Sequence, residues 1–102
     1  MNRYDPLVTR TTHAVLETKG ATPSELRWAA FHRRAEELPA ALKPYVEKVA
    51  RNAYKVSDED IEGLKRAGYS EDQIFEVTVS AALGAALQRL ERGLIALHES
   101  KS

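Results

Sequence analysis

Cysteine is absent from all 102 residues. That absence removes disulfides, thiolate nucleophiles and cysteine metal sites together, and it leaves the redox compartment unmarked. Long apolar runs are missing too. None approaches the ~18 residues of a membrane span, and the opening MNRYDPLV has no apolar leader core. A cytoplasmic protein without membrane contact is therefore the default expectation. No segment alternates with the period-two pattern of a half-buried strand, and there is no low-complexity tract or internal repeat. A Gly-rich phosphate loop, a nucleophile elbow and basic-aromatic interleaving are also lacking. Charge of one sign is not in excess, since 15 Lys/Arg meet 15 Asp/Glu. Along the chain the balance is uneven: 10 basic against 6 acidic residues in 1–56, 2 against 7 in 57–76, and 3 against 2 in 77–102. No block is basic enough to argue for nucleic acid.

What is present reads as a single helical domain over 1–102, with 43% apolar and 29% charged residues. Its centre is residues 70–98. Ser70 followed by Gln73 is a capping box, and Glu71 and Asp72 suit the positive end of a helix dipole. From Ile74 to Leu87 the only clearly polar side chains are Glu76, Thr78 and Ser80. A helix apolar nearly all round must be covered on most sides. Its 28 residues from Glu71 would span roughly 42 Å, against a diameter of roughly 34 Å for a compact domain of this size. One subunit cannot cover such a helix, so a second copy of the chain is the expected cover.

The preceding elements are shorter. Asp5-Pro6 opens a first helix, expected to end at Gly20. Thr22-Pro23-Ser24-Glu25 reads as a capping box for a second, carrying Trp28, Phe31, Ala35 and Leu38 as an inward stripe, with Arg27, Arg33 and Arg34 largely outward. Pro39 and Pro44 then interrupt the pattern. A third helix runs from Pro44 to about Tyr54 with Val46, Val49, Ala50 and Ala53 inward. Ser57 and Asp60 box a fourth, anchored by Ile61 and Leu64 and closed by Gly68 in a left-handed cap.

Few residues suggest chemistry. His13, His32 and His98 lie on different helices without ligand-type spacing, so neither a metal site nor a cofactor is expected. His32 and Glu36 stand four apart and could pair on a helix face. The corner at Gly68-Tyr69-Ser70 invites a helix-turn-helix reading, but Glu71, Asp72 and Glu76 would repel DNA. Thr78, Ala82, Ala85, Arg89 and Gly93 share one side of the long helix and suit a close helix or subunit contact. Glu76 and Arg89 are the charges most embedded in apolar sequence, and each needs a partner. They lie 13 residues apart, which puts them on nearly opposite sides of one helix. Arg89 is expected to meet a carboxylate such as Glu36, Glu37 or Glu47, and Glu76 an arginine or the Tyr54 hydroxyl.

The run AGYSEDQIFEVTVSAALGAALQRLERGL, preceded by VSDEDIEGLKR, resembles the alkylhydroperoxidase-like (AhpD-like) and carboxymuconolactone decarboxylase superfamily over roughly residues 38–97. The resemblance implies an all-α fold of about five helices with a long C-terminal core helix, assembled as a trimer or hexamer. Peroxidases of the family carry Cys-x-x-Cys-x-x-x-His ahead of the AG turn. Ala53, Val56 and Asp60 hold those positions here, so the chain looks like the Cys-less second half of two-repeat, peroxidase-related members. The resemblance thus implies a non-redox binding or structural module. The alternative is a decarboxylase-type enzyme acting on a small anionic substrate, with Tyr54, Glu76, Arg89 and His32 as candidate site residues.

Overall fold

The computed structural model describes residues 6–100. Every regular element among them is helical: α1 (Pro6–Glu17), α2 (Ser24–His32), α3 (Lys43–Asn52), α4 (Asp58–Arg66) and α5 (Glu71–Ser100). Single 3₁₀ turns, Ala35–Glu37 and Ala53–Lys55, follow α2 and α3. The proposed Asp5 cap lies outside the described residues. No described helix is long and apolar enough to cross a membrane.

The long helix begins as its sequence dictates. Ser70 N–H donates to Gln73 Oε1 at 2.8 Å, and Gln73 N–H donates to Ser70 Oγ at 3.1 Å. Ser57 and Asp60 form the second capping box at the head of α4. Gly68, at φ 105°, closes α4: Tyr69 N–H reaches the Leu64 carbonyl and Gly68 N–H that of Lys65, a Schellman cap that suits glycine. These devices place α4 and α5 at a tight corner.

α5 is the axis of the domain, with α2 and α3 making the most extensive contacts along it. The core joins Ala29 and Ala30 of α2, Leu38 and Leu42 of the connection, Tyr45, Val46 and Val49 of α3, Leu64 of α4, and Ile74, Val77 and Ala81 of α5. At ~1.5 Å per residue α5 spans roughly 45 Å, and the longest dimension of the molecule is 52 Å. Beyond Glu91 only Leu94 is even half-buried, so the last third of α5 projects past the other helices.

Several local expectations are corrected. α2 stops at His32 rather than running on to Leu38, because Arg33 takes a left-handed conformation at φ 55°. Arg34 N–H bonds the Ala29 carbonyl and Arg33 N–H that of Ala30, a Schellman cap with arginine where glycine is usual. With the helix ended there, His32 and Glu36 do not pair. Ala35 is exposed and Trp28 and Phe31 are half-buried, while Ala29, Ala30 and Arg27 face inward. Small residues occupy that face because α2 lies hard against α5. A Cβ on Gly84 would stand 2.8 Å from the Phe31 carbonyl carbon and nearer still to its oxygen. The Thr22 capping box does not form, and Pro23 occupies the cap position without a side-chain bond. Gly20 is not a left-handed cap: α1 ends at Glu17, and Gly68 is the one described glycine with positive φ. Ala53 is exposed, since α3 ends at Asn52.

Candidate functional site

Glu76 leaves the second turn of α5 toward the α1–α2 connection. Its Oε2 accepts from Ala21 N–H at 2.7 Å, and its Oε1 accepts from Thr22 N–H at 2.9 Å and Thr22 Oγ1 at 2.6 Å. Glycine at position 20 makes this approach possible, because a Cβ there would lie 2.5 Å from Glu76 Oε2. Thr22 is thus diverted from capping α2 to holding a carboxylate. The expected arginine or Tyr54 partner is replaced by backbone and hydroxyl donors. Partial burial pushes the Glu76 carboxyl up, but the bonds from Thr22 and Ala21 and the charge of Arg27 outweigh it and hold the group below its ordinary range.

Linkage fixes the sign of the pH effect. A carboxylate with a depressed folded pKa contributes stability above its unfolded pKa and loses it as pH falls through the folded value. Glu76→Gln turns an amide donor toward one of these N–H groups and is expected to cost about 2 kcal/mol at neutral pH. That difference from wild type should shrink as pH falls below the ordinary carboxylate range. Urea unfolding across a pH series checks it, and a gap that stays constant into acid would refute the clamp.

Arg89, on the other side of α5, donates from Nη2 to the Ala50 carbonyl at 2.8 Å. It therefore caps the C-terminal turn of α3, where a cation is favoured by the helix dipole, and does not meet Glu36, Glu37 or Glu47. Glu47 instead pairs with Arg33 at 3.8 Å and with Arg51. Around Arg89, between the end of α3 and the middle of α5, is a polar cleft of about 420 Å³.

His32 is exposed but stacks on Trp28 with centroids 5.6 Å apart and 15° between planes, and it meets the Phe31 ring edge-on at 4.9 Å. Desolvation and the neighbouring Arg34 push its pKa down, against an opposing pull from Glu37. These rings, with His13 and Leu87, line a groove of about 320 Å³ over Gly84. Tyr54 is 82% exposed, with Lys55 Nζ 5.9 Å from its ring centroid.

The structure therefore puts the four candidate residues in four places: Glu76 at the α1–α2 connection, Arg89 at the end of α3, His32 in the aromatic groove and Tyr54 on the surface. Ala53 opens a 3₁₀ turn that Val56 follows, and Val56 N–H bonds the Ala53 carbonyl at 3.1 Å. Asp60 is held by Lys48 Nζ at 2.9 Å and by Ser57 N–H at 3.0 Å. The Lys48 bond is the main reason its pKa is lowered. No group of three or more His, Asp or Glu side chains among the described residues is placed to hold a metal ion. No family model, curated protein or solved structure gives a significant match to this chain.

The arginine cleft is what sequence reasoning missed. Its side chains come from the end of α2, the end of α3 and α5, so no contiguous motif could announce it.

Proposed function

We propose that this chain is a non-redox binding module of the AhpD-like kind that works as a homo-oligomer, assembled through the outer face of α5. The observation that carries the reading is an apolar stripe left open along that helix. Phe75, Val79, Ala82, Ala86, Leu90 and Leu97 follow one another at steps of four, three, four, four and seven. Eleven residues complete three turns, so Phe75, Ala86 and Leu97 lie nearly in line along a straight helix. Val79 is half-buried and the other five are exposed, Phe75 by 67% and Leu97 by 54%. An apolar face of this length on a helix that projects beyond its own domain is the signature of a protein contact.

The stripe is also complementary to itself. A two-fold axis through Ala86 sets Phe75 of one copy beside Leu97 of the other and Ala82 beside Leu90, matching large with large at the ends and small with large nearer the centre. Such isologous pairing closes on itself. A hexamer of three such pairs satisfies both this two-fold and the three-fold assembly that the resemblance implies. The AhpD-like assignment rests on the α4–α5 sequence, and the missing thiols rest on the absence of cysteine. Without a thiolate and a resolving thiol, the chain's own residues cannot perform dithiol reduction of peroxide.

Light scattering on the purified protein should give a multiple of the 11.4 kDa chain mass, with six copies the expected count. A folded species at the single-chain mass would overturn the reading. Ala86→Glu gives the sharper test. Ala86 is exposed in the single chain, so the substitution leaves the core intact while placing like charges against each other at the two-fold. The expected product is a folded species smaller than the hexamer, with the two-fold pairing lost and helical circular dichroism unchanged.

A further inference from the structure

Four of the chain's 15 basic residues meet in one cleft: Arg33 just after α2, Arg51 at the end of α3, and Arg89 and Arg92 on α5. No carboxylate lines it among the described residues. Glu47, outside the lining, pairs with Arg33 and Arg51 and leaves the group strongly positive. In a chain of zero net charge, this is a local excess of positive charge that a bound anion would offset.

Two of the guanidinium groups are also held by neutral acceptors. Arg89 is held by the Ala50 carbonyl at 2.8 Å, and Arg33 donates to Gln88 Oε1 at 3.2 Å. Each guanidinium has five N–H donors, so these bonds leave most of its capacity unused. The Arg92 side chain makes no ion pair or hydrogen bond among the described residues. Arg33 is moreover the one described non-glycine residue with positive φ. Glycine would hold that turn at lower conformational cost, and strained backbone is often found where a side chain must be presented to a ligand.

We propose that this cleft binds a small anion with two or more oxyanionic charges, a phosphorylated or polycarboxylate metabolite, gripped by Arg33, Arg51, Arg89 and Arg92. The planar guanidinium fork matches phosphate and carboxylate oxygens in pairs. The volume of about 420 Å³ suits a small molecule. No aromatic side chain lines the cleft, so it offers no stacking platform for nucleic-acid bases. The inference names a ligand class for the binding module proposed above and rests on that reading for its purpose.

Titration calorimetry at fixed ionic strength, with inorganic pyrophosphate and with citrate, tests it. At least one is expected to bind with a dissociation constant below about 1 mM. Pyrophosphate alone would identify a phosphorylated ligand, citrate alone a polycarboxylate, and both together the shared oxyanion chemistry. Arg51→Gln and Arg92→Gln alter exposed residues, and the double variant should bind at least tenfold more weakly. Lys19→Gln, on the exposed α1–α2 connection, should bind as wild type does. Absence of binding by either anion up to 5 mM, as a working ceiling of roughly the millimolar scale, would overturn the proposal. So would full affinity in the double variant, or an equal loss in Lys19→Gln. Light scattering on the same samples keeps the two readings apart: an oligomer that binds neither anion defeats the cleft alone, and a monomer that binds defeats the assembly alone. If the double variant loses its oligomeric state and wild type binds no anion, the arginines serve a protein contact and the proposal fails.

Discussion

Gly84→Ala is expected to destabilise the domain by about 3 kcal/mol, an unusually large effect for one added methyl. By helix propensity alone the change should help, since alanine is favoured over glycine by roughly 1 kcal/mol within a helix. Packing reverses the sign. The new Cβ would lie 2.8 Å from the Phe31 carbonyl carbon and closer to its oxygen, so a fixed Cβ meets backbone and no rotamer change relieves it. α2 would have to lift away from α5, loosening Ala29 and Ala30 against Val77 and Ala81. For a domain of this size the loss corresponds to a fall in melting temperature of roughly 15 °C. Gly93, in the same helix, is the control. Nothing of its own chain lies within 4 Å of a Cβ built there, so Gly93→Ala, made in the Ala86→Glu background that lacks the two-fold contact, should stabilise the folded chain by up to about 1 kcal/mol. Paired denaturation curves decide the matter. If both substitutions stabilise, the close α2–α5 crossing is wrong.

That contrast also shows where the sequence can be read and where it cannot. The α4–α5 corner is legible because its signals are local: Ser57 with Asp60, Ser70 with Gln73, and Gly68 at the one turn needing a left-handed residue. The end of α2 is not, because the left-handed residue there is Arg33 and no glycine or proline marks it. Periodicity ranks residues by hydrophobicity, so it turned Trp28 and Phe31 inward. The actual contact selects for small size, and Ala29 and Ala30 face Gly84's helix instead. Nothing near Gly20 or Gly84 in the chain reveals which distant atom will approach. At the candidate site, embedded charge correctly marked Glu76 and Arg89 as residues needing partners on other elements. Their partners were invisible because they are backbone groups, the Ala21 and Thr22 amides and the Ala50 carbonyl, and any residue type can supply those.

Arg27 is the residue whose sequence context misleads most, and its removal should have the second large effect. Lying off the stripe of Trp28, Phe31, Ala35 and Leu38, it reads as an outward charge. In the structure it is 4% exposed, with Nη1 donating to the Val15 carbonyl at 3.0 Å and Nη2 to the Thr22 carbonyl at 3.3 Å. It thereby ties the end of α1 to the turn that also grips Glu76. Its Nε has no hydrogen-bond partner, so the burial is not fully compensated. Two effects oppose each other in Arg27→Met. Relief of a desolvated charge favours the variant, while two carbonyls left without donors and a carboxylate left without its nearby cation oppose it. Removing one member of a buried charged arrangement usually costs 3–5 kcal/mol, and a well-packed apolar replacement returns part of that. A net loss of about 2 kcal/mol is therefore expected. Arg27→Lys should fall between the two, since a single ammonium cannot span both carbonyls as the guanidinium fork does. Coupling to Glu76 supplies the diagnostic. Because the Arg27 charge helps hold the Glu76 carboxyl low, Arg27→Met should raise that pKa and make acid destabilisation begin at higher pH. In a double-mutant cycle with Glu76→Gln, the combined loss should fall short of the sum by about 1 kcal/mol. Strict additivity, with an unchanged Glu76 titration by NMR, would show that Arg27 acts through the Val15 and Thr22 carbonyls alone.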